Sequence, residues 1–181
     1  RLKNKDLVIG LCGCMVEQPE ILEKILTTYP HVNLIFGTHE IQNLLHYIEE
    51  VLKTKQRIVS VESKQGEVYE GLPSCRNSKF KAFVNIMYGC NKFCSYCIVP
   101  YTRGKERSRR PEAIIEEVKQ IAKDGYQEVT LLGQNVNAYG KDLDIECDFA
   151  DSLGEVSQTG LPSIRFVTSH PWDFTDKMID V

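Results

Sequence analysis

Residues 88–97 read Tyr88-Gly89-Cys90-Asn91-Lys92-Phe93-Cys94-Ser95-Tyr96-Cys97, and the rest of the chain is organised around them. Three of the seven cysteines fall here, separated by three and then two other residues. Spacers this short let one loop wrap a small inorganic core, and three thiolates can each take one iron of a cubane cluster, leaving the fourth iron open to a small chelating ligand. Zinc needs a fourth ligand and usually a second Cys or His pair, and neither Cys75 nor Cys147 stands in one. The odd cysteine count argues against a disulfide framework. A simple ferredoxin run would continue to a fourth cysteine followed by proline, whereas Cys97 is followed by Ile98, Val99 and Pro100.

Composition bounds the setting. The chain has 181 residues, is 42% hydrophobic and carries a net charge of -3, enough for one large or two small globular units. No apolar run approaches the roughly 18 residues of a membrane span. No membrane partner is therefore expected, and the expected location is cytoplasmic. The first residue, Arg1, and a last residue, Val181, inside an opening helix lead us to expect a fragment of a longer protein.

Working outward, residues 6–12 (DLVIGLC) form an apolar run without alternation, the pattern of a parallel strand covered on both faces. Helical periodicity follows over 19–29, a second strand over 33–36, and a second helix over 40–53. Strand, helix, strand, helix implies a doubly wound sheet. Residues 54–79 are polar, with a short strand-like stretch at 57–61 and a Gly71-Leu72-Pro73 break, and read as a connection between two domains. The second domain opens with a buried strand pattern over 79–88, directly before the cysteines. A helix over 111–124, a strand over 128–132, a helix over 148–158 and a strand over 163–168 follow. A last helix is capped by Asp173 or Thr175. Repeated strand-helix units with polar residues at the strands' carboxyl ends are how α/β barrels build sites, and the cysteine loop, the Gln134-Asn135 turn and His170 share that face.

With those residues in place, the run YGCNKFCSYCIVPYTRGKERSRRPE (88–112), the run LLGQNVNAYG (131–140) and TSHP (168–171) resemble the MiaB-type tRNA methylthiotransferases of the radical S-adenosylmethionine (SAM) superfamily. GCMVEQ (13–18) is similar to the last cysteine motif of that family's amino-terminal domain. The fold class this implies is α/β. A Rossmann- or flavodoxin-like part ends at residue 53, a connection runs over 54–79, and 80–181 form the first part of a radical SAM partial TIM barrel. The implied reaction inserts a methylthio group at carbon 2 of an isopentenylated adenosine beside the tRNA anticodon. Its implied cofactors are SAM and two 4Fe–4S clusters in the full-length enzyme. Its implied partners are the anticodon loop and an electron donor such as flavodoxin or ferredoxin, with the protein a monomer.

The resemblance also distributes roles. Cys90, Cys94 and Cys97 hold the cluster at which SAM is cleaved to a radical, and Cys14 is the one retained ligand of the second, sulfur-donating cluster. Cys12, inside the apolar run, is expected to be a small buried hydrophobe. Tyr96 and Phe93 suit either the adenine of SAM or simple packing. Gln134, Asn135 and Asn137 suit either hydrogen bonds to SAM or nucleobase edges, or a turn at a strand end. His170 is similar to a family motif residue. Cys75 and Cys147 read as incidental, and His31, His39 and His46 as surface residues.

Residues 103–110 hold five basic side chains and one acid, a local charge of +4 in an acidic chain. Such a run is commonly a solvated face. Its place directly after the cysteines favours a phosphate-contacting edge built from Arg103, Lys105, Arg107, Arg109 and Arg110. The rival readings are a sister methylthiotransferase acting on threonylcarbamoyl-adenosine or on a ribosomal protein, and a non-catalytic iron-sulfur electron carrier.

Overall fold

The structure, a computed structural model, describes residues 4, 6–61, 68–71 and 74–181. The chain divides into two compact units, Arg1–Glu67 with Cys94–Gly104, and Val68–Phe93 with Lys105–Val181.

In the first unit three short parallel strands, β1 (Gly10–Cys12), β2 (Leu34–Phe36) and β3 (Ile58–Ser60), lie in that order. The central strand is buried throughout, and strand alternation sorts its neighbours. Ile35 packs on the side of Leu22, Ile25 and Leu26 of helix α1 (Pro19–Thr28). Leu34 and Phe36 pack on the side of Leu44, Ile48 and Val51 of α2 (Leu44–Thr54). The cover on both faces predicted for the run 6–12 falls instead on β2, while β1 keeps only Gly10–Cys12 of that run and lies at the sheet edge.

Three further expectations change here. The helix predicted over 40–53 opens as a 3₁₀ turn, Thr38–Asn43, where the Glu40 carboxylate accepts from Asn43 Nδ2 and Tyr47 Oη, and becomes α-helical at Leu44. The connection drawn at 54–79 gives up its first part to the sheet, because β3 pairs with β2 and Arg57 donates to the carbonyls of Leu26, Tyr29 and Val32 around the end of α1. Leu72 and Pro73 of the predicted break lie outside the described residues. Cys12 is exposed, at the last position of edge strand β1, and is not the buried hydrophobe expected. Within this unit a short helix, α3 (Val99–Thr102), lies beside the 3₁₀ turn Cys14–Glu17.

The second unit contains parallel strands β4 (Lys81–Asn85), β7 (Glu128–Leu132) and β8 (Ser163–Phe166), in the order β4, β7, β8. Between β4 and β7, strands β5 (Met87–Tyr88) and β6 (Arg107–Ser108) form a small antiparallel pair. Helix α4 (Pro111–Lys123) starts on a proline and seats Ile114, Val118 and Ile121 in a core with Ala82, Val84, Val129 and Leu131. Helix α5 (Phe149–Ser157) tolerates Gly154 because Asp148 and Asp151 cap its start reciprocally. The strand predicted over 79–88 is interrupted between Asn85 and Met87. Thr175, and not Asp173, occupies the cap position of α6 (Asp176–Asp180). Among the described residues no helix is long and apolar enough to cross a membrane.

Candidate functional site

The cysteine loop is an excursion with a built neck. It leaves β5 and returns as β6, with Met87 opposite Ser108 and Tyr88 opposite Arg107. One step further out, Asn91 and Glu106 clasp each other. The Asn91 backbone N–H and Nδ2 donate to the Glu106 carboxylate at 3.0 and 3.1 Å, and the Glu106 N–H donates to Asn91 Oδ1 at 3.2 Å. Glu106, the lone acid of the basic run, is buried and closes the neck. The Gly89 N–H donates to Gln134 Oε1 at 2.6 Å, so Gln134 holds the start of the loop.

Beyond the ends of β7 and β8 a second set of residues converges. Asp173 is 5% exposed and accepts from Lys92 Nζ (3.1 Å), Lys141 Nζ (2.5 Å) and Asn135 Nδ2 (2.7 Å). Burial alone would push its carboxyl up, but hydrogen bonds from Lys141, Asn135 and Lys92 prevail and hold its pKa down to about 2. Asn135 also accepts the His170 N–H on Oδ1, and Asn137 Nδ2 donates to the His170 carbonyl. His170 Nδ1 accepts the Trp172 N–H, its ring meets the Trp172 ring edge-on at 5.2 Å, and Lys92 Nζ stands 5.7 Å from that indole's centroid. A cavity of about 510 Å³ borders this cluster, lined by Asn137, Tyr139, Lys141, Trp172, Asp173 and Met178 among others. Gly140 makes the preceding turn with φ +87°, where a Cβ would fall 1.8 Å from the Cys147 carbonyl oxygen, so the approach to Lys141 requires glycine.

The structure therefore brings Gln134, Asn135 and His170 together, with altered roles. Asn135 is buried, and each polar end of its amide makes a hydrogen bond inside the protein, to Asp173 and from the His170 N–H. Tyr96 is 90% exposed. Cys75 is exposed, whereas Cys147 packs at the edge of the core, where burial pushes its thiol up. Asp173, Lys92 and Lys141 were not singled out in the sequence. Asp173 reads there as a helix cap, and its partner Lys92 stands 81 residues earlier.

The basic run also divides. Lys105 and Arg110 are exposed, and Arg103 and Arg107 are half-buried. Arg109 is 7% exposed and is not available to a phosphate backbone: its guanidinium donates to Glu70 (2.8 Å), Glu117 (2.8 Å) and the Asn85 carbonyl (2.7 Å). The cause is the return of the chain as β6, after which the Arg109 N–H pairs with the Ile86 carbonyl and its side chain turns inward. Burial by itself would lower the Arg109 pKa, but hydrogen bonds and charge from Glu70 and Glu117 raise it. The phenol of Tyr139, pushed up by burial, donates to the Arg109 carbonyl at 2.8 Å.

None of the seven cysteines forms a disulfide. Cys90 is buried in the second unit, and its sulfur accepts the Lys92 backbone N–H at 3.4 Å. Cys94, Cys97 and Cys14 are half-buried in the first unit, and the Cys97 N–H donates to the Cys94 carbonyl at 2.9 Å. Among the described residues no three Cys, His, Asp or Glu side chains stand together as a metal cage. The loop supplies the donor set of an iron-sulfur cluster, three thiols on short spacers with one already hydrogen-bonded at sulfur, and so fits that group chemically. A family model described as the Radical SAM superfamily matches residues 84–180. The chain belongs to the radical SAM superfamily. Its match begins in β4 and takes in the cysteine loop, the Gln134-Asn135 turn and Asp173. The chain is 59% identical, over 180 residues, to the tRNA-2-methylthio-N(6)-dimethylallyladenosine synthases of Staphylococcus aureus strains JH9 and Newman. Each alignment covers 99% of this chain and 35% of the relative, so the chain spans about a third of the length of these relatives.

Proposed function

We propose that the chain is the central part of a MiaB-type methylthiotransferase that installs the methylthio group of 2-methylthio-N6-dimethylallyladenosine in tRNA. The observation that carries the reading is the three-cysteine excursion at the ends of parallel strands in a chain 59% identical to synthases of that name. In this reading residues 1–53 are the end of a Rossmann- or flavodoxin-like domain and residues 80–181 the start of a partial TIM barrel. The protein works in the cytoplasm, where it draws electrons from a flavodoxin or ferredoxin.

Cys90, Cys94 and Cys97 would hold a 4Fe–4S cluster, and Cys14 would be one ligand of another. Cluster and SAM together supply an oxidant strong enough for an aromatic C–H bond, which side chains cannot provide. The chain's own residues position this chemistry. Asn91 and Glu106 close the neck of the loop, Gln134 fixes its first turn, and Asn135 orders the backbone at His170. Exposed Lys105 and Arg110 offer charge to a phosphate backbone.

Nucleoside mass spectrometry on cells lacking the gene, complemented with variants, tests this. Wild type restores the methylthiolated nucleoside, and Cys94→Ala abolishes both it and 5′-deoxyadenosine formation by purified protein. Cys14→Ala keeps 5′-deoxyadenosine formation and loses the nucleoside. Unchanged tRNA nucleosides in the deletion strain overturn the assignment.

A further inference from the structure

We infer that Asp173 is a positioning residue for the cysteine loop, fastening the stretch between Cys90 and Cys94, through Lys92, to the segments that follow β7 and β8. The inference rests on the reading that these cysteines hold the cluster. Asp173 receives three donors from three separate parts of the chain: Lys92 in the loop, Asn135 after β7, and Lys141 after the Gly140 turn. Both carboxylate oxygens are engaged, since Lys92 and Lys141 reach Oδ1 and Asn135 reaches Oδ2, with Lys92 also 3.0 Å from Oδ2. The Lys92 side chain is 24% exposed although an ammonium gains most from full hydration, so its inward course is explained by the carboxylate it meets. Trp172, adjacent in sequence to Asp173, flanks the same ammonium.

A buried charge is a weak device for stability, because apolar packing of the same volume does as well or better. It is a good device for fixing position, because its partners are specified by charge, direction and distance. Asp173 compensates one of two ammoniums and places the other, two residues after Cys90. Cluster ligands depend on such outer contacts for their orientation.

The test uses the reconstituted full-length holoprotein with Lys92→Met, Asp173→Asn, the double variant, Lys92→Arg, and Lys177→Met as a surface control. Four quantities are read: iron per chain after gel filtration, the EPR spectrum of the reduced cluster with and without SAM, the rate of 5′-deoxyadenosine formation, and the thermal midpoint. Either single substitution is expected to slow SAM cleavage about ten- to a hundredfold. It should also alter the EPR response to SAM; Lys92→Met, which keeps the Asp173 pair with Lys141, should leave the midpoint nearly unmoved, whereas Asp173→Asn should lower it. The double variant should be no worse than Asp173→Asn alone, since both singles break the Lys92–Asp173 contact. Lys92→Arg should recover most of the rate, and Lys177→Met should match wild type. Wild-type EPR and cleavage in Lys92→Met overturn the inference, as do single losses that multiply in the double variant. Normal SAM cleavage with no methylthiolated tRNA would instead count against the substrate assignment, leaving the role of Asp173 standing.

Discussion

Two buried charge clusters in the second unit are near mirror images. Around Arg109 one cation is held by two carboxylates, Glu70 and Glu117, and around Asp173 one carboxylate is held by two ammoniums, Lys92 and Lys141. They differ in what they join. Arg109 ties the segment before β4 and the end of β4 to helix α4, and Arg76 adds a further pair to Glu117. Asp173 ties loops to loops beyond the strand ends, one of them the cysteine loop. Similar electrostatics therefore serve assembly of the frame in one place and placement of reactive groups in the other, and the difference is set by which elements carry the partners.

That contrast breaks most visibly at Arg109. Its guanidinium is 8% exposed and also satisfies the Asn85 carbonyl, so Arg109→Ala removes two ion pairs and leaves a strand-end acceptor without its donor. Loss of one partner from such a cluster costs about 3–5 kcal/mol. We expect a shift of that size in urea unfolding, with SAM cleavage per folded, cluster-loaded molecule little changed. A shift below about 1 kcal/mol would show that Arg109 does not brace the frame.

Asp173 should answer to pH in a defined direction. Its carboxyl lies at about 2 against 3.8 ordinarily, so the charged form is the one the fold stabilises, by roughly 2 kcal/mol. A depressed carboxylate contributes fully above its unfolded-state pKa, and the contribution fades as pH falls through the folded-state value. The gap in thermal midpoint between wild type and Asp173→Asn, measured on apoprotein, should be flat from pH 7 to about 5 and close between about 4 and 2. A gap that is constant down to pH 2 would show that the carboxylate's charge does not matter.

Much of the frame was legible in the sequence, for local reasons. Helices α1, α4 and α5 come from apolar spacing with Pro19, Pro111 and Asp148 at their starts, and β2 from an unbroken apolar run, signals contained within a dozen residues. The cysteine spacing is likewise local. What the sequence concealed depends on partners far along the chain. Lys92 looks like a spacer between ligands until Asp173 arrives 81 residues later, and Glu106 looks like a flaw in a basic run until Asn91 is opposite it. Arg109 reads as one more surface charge because a charge count ignores that β6 sends successive side chains to different environments. Cys12 misleads for the related reason that burial along a strand depends on whether it lies in the middle of the sheet or, like β1, at its edge.

The same division sharpens the proposed RNA-facing edge, where the expected effect is smallest. If five basic residues acted as a uniform patch, reversing any two would weaken tRNA binding equally. The structure separates them: Arg109 is locked to Glu70 and Glu117, while Lys105 and Arg110 are exposed. Lys105→Glu with Arg110→Glu should lower tRNA affinity roughly tenfold at low salt and flatten the dependence of log K on log salt by about 1.4, the share of two phosphate contacts on single-stranded RNA. Stability and 5′-deoxyadenosine formation should be unchanged, because among the described residues neither side chain holds a buried partner. The measurement is tRNA binding by filter retention from 50 to 300 mM salt, with unfolding followed in parallel. An unaltered salt slope would leave the exposed half of the run as a solvated surface, and a fall in stability equal to that of Arg109→Ala would erase the distinction between the two halves.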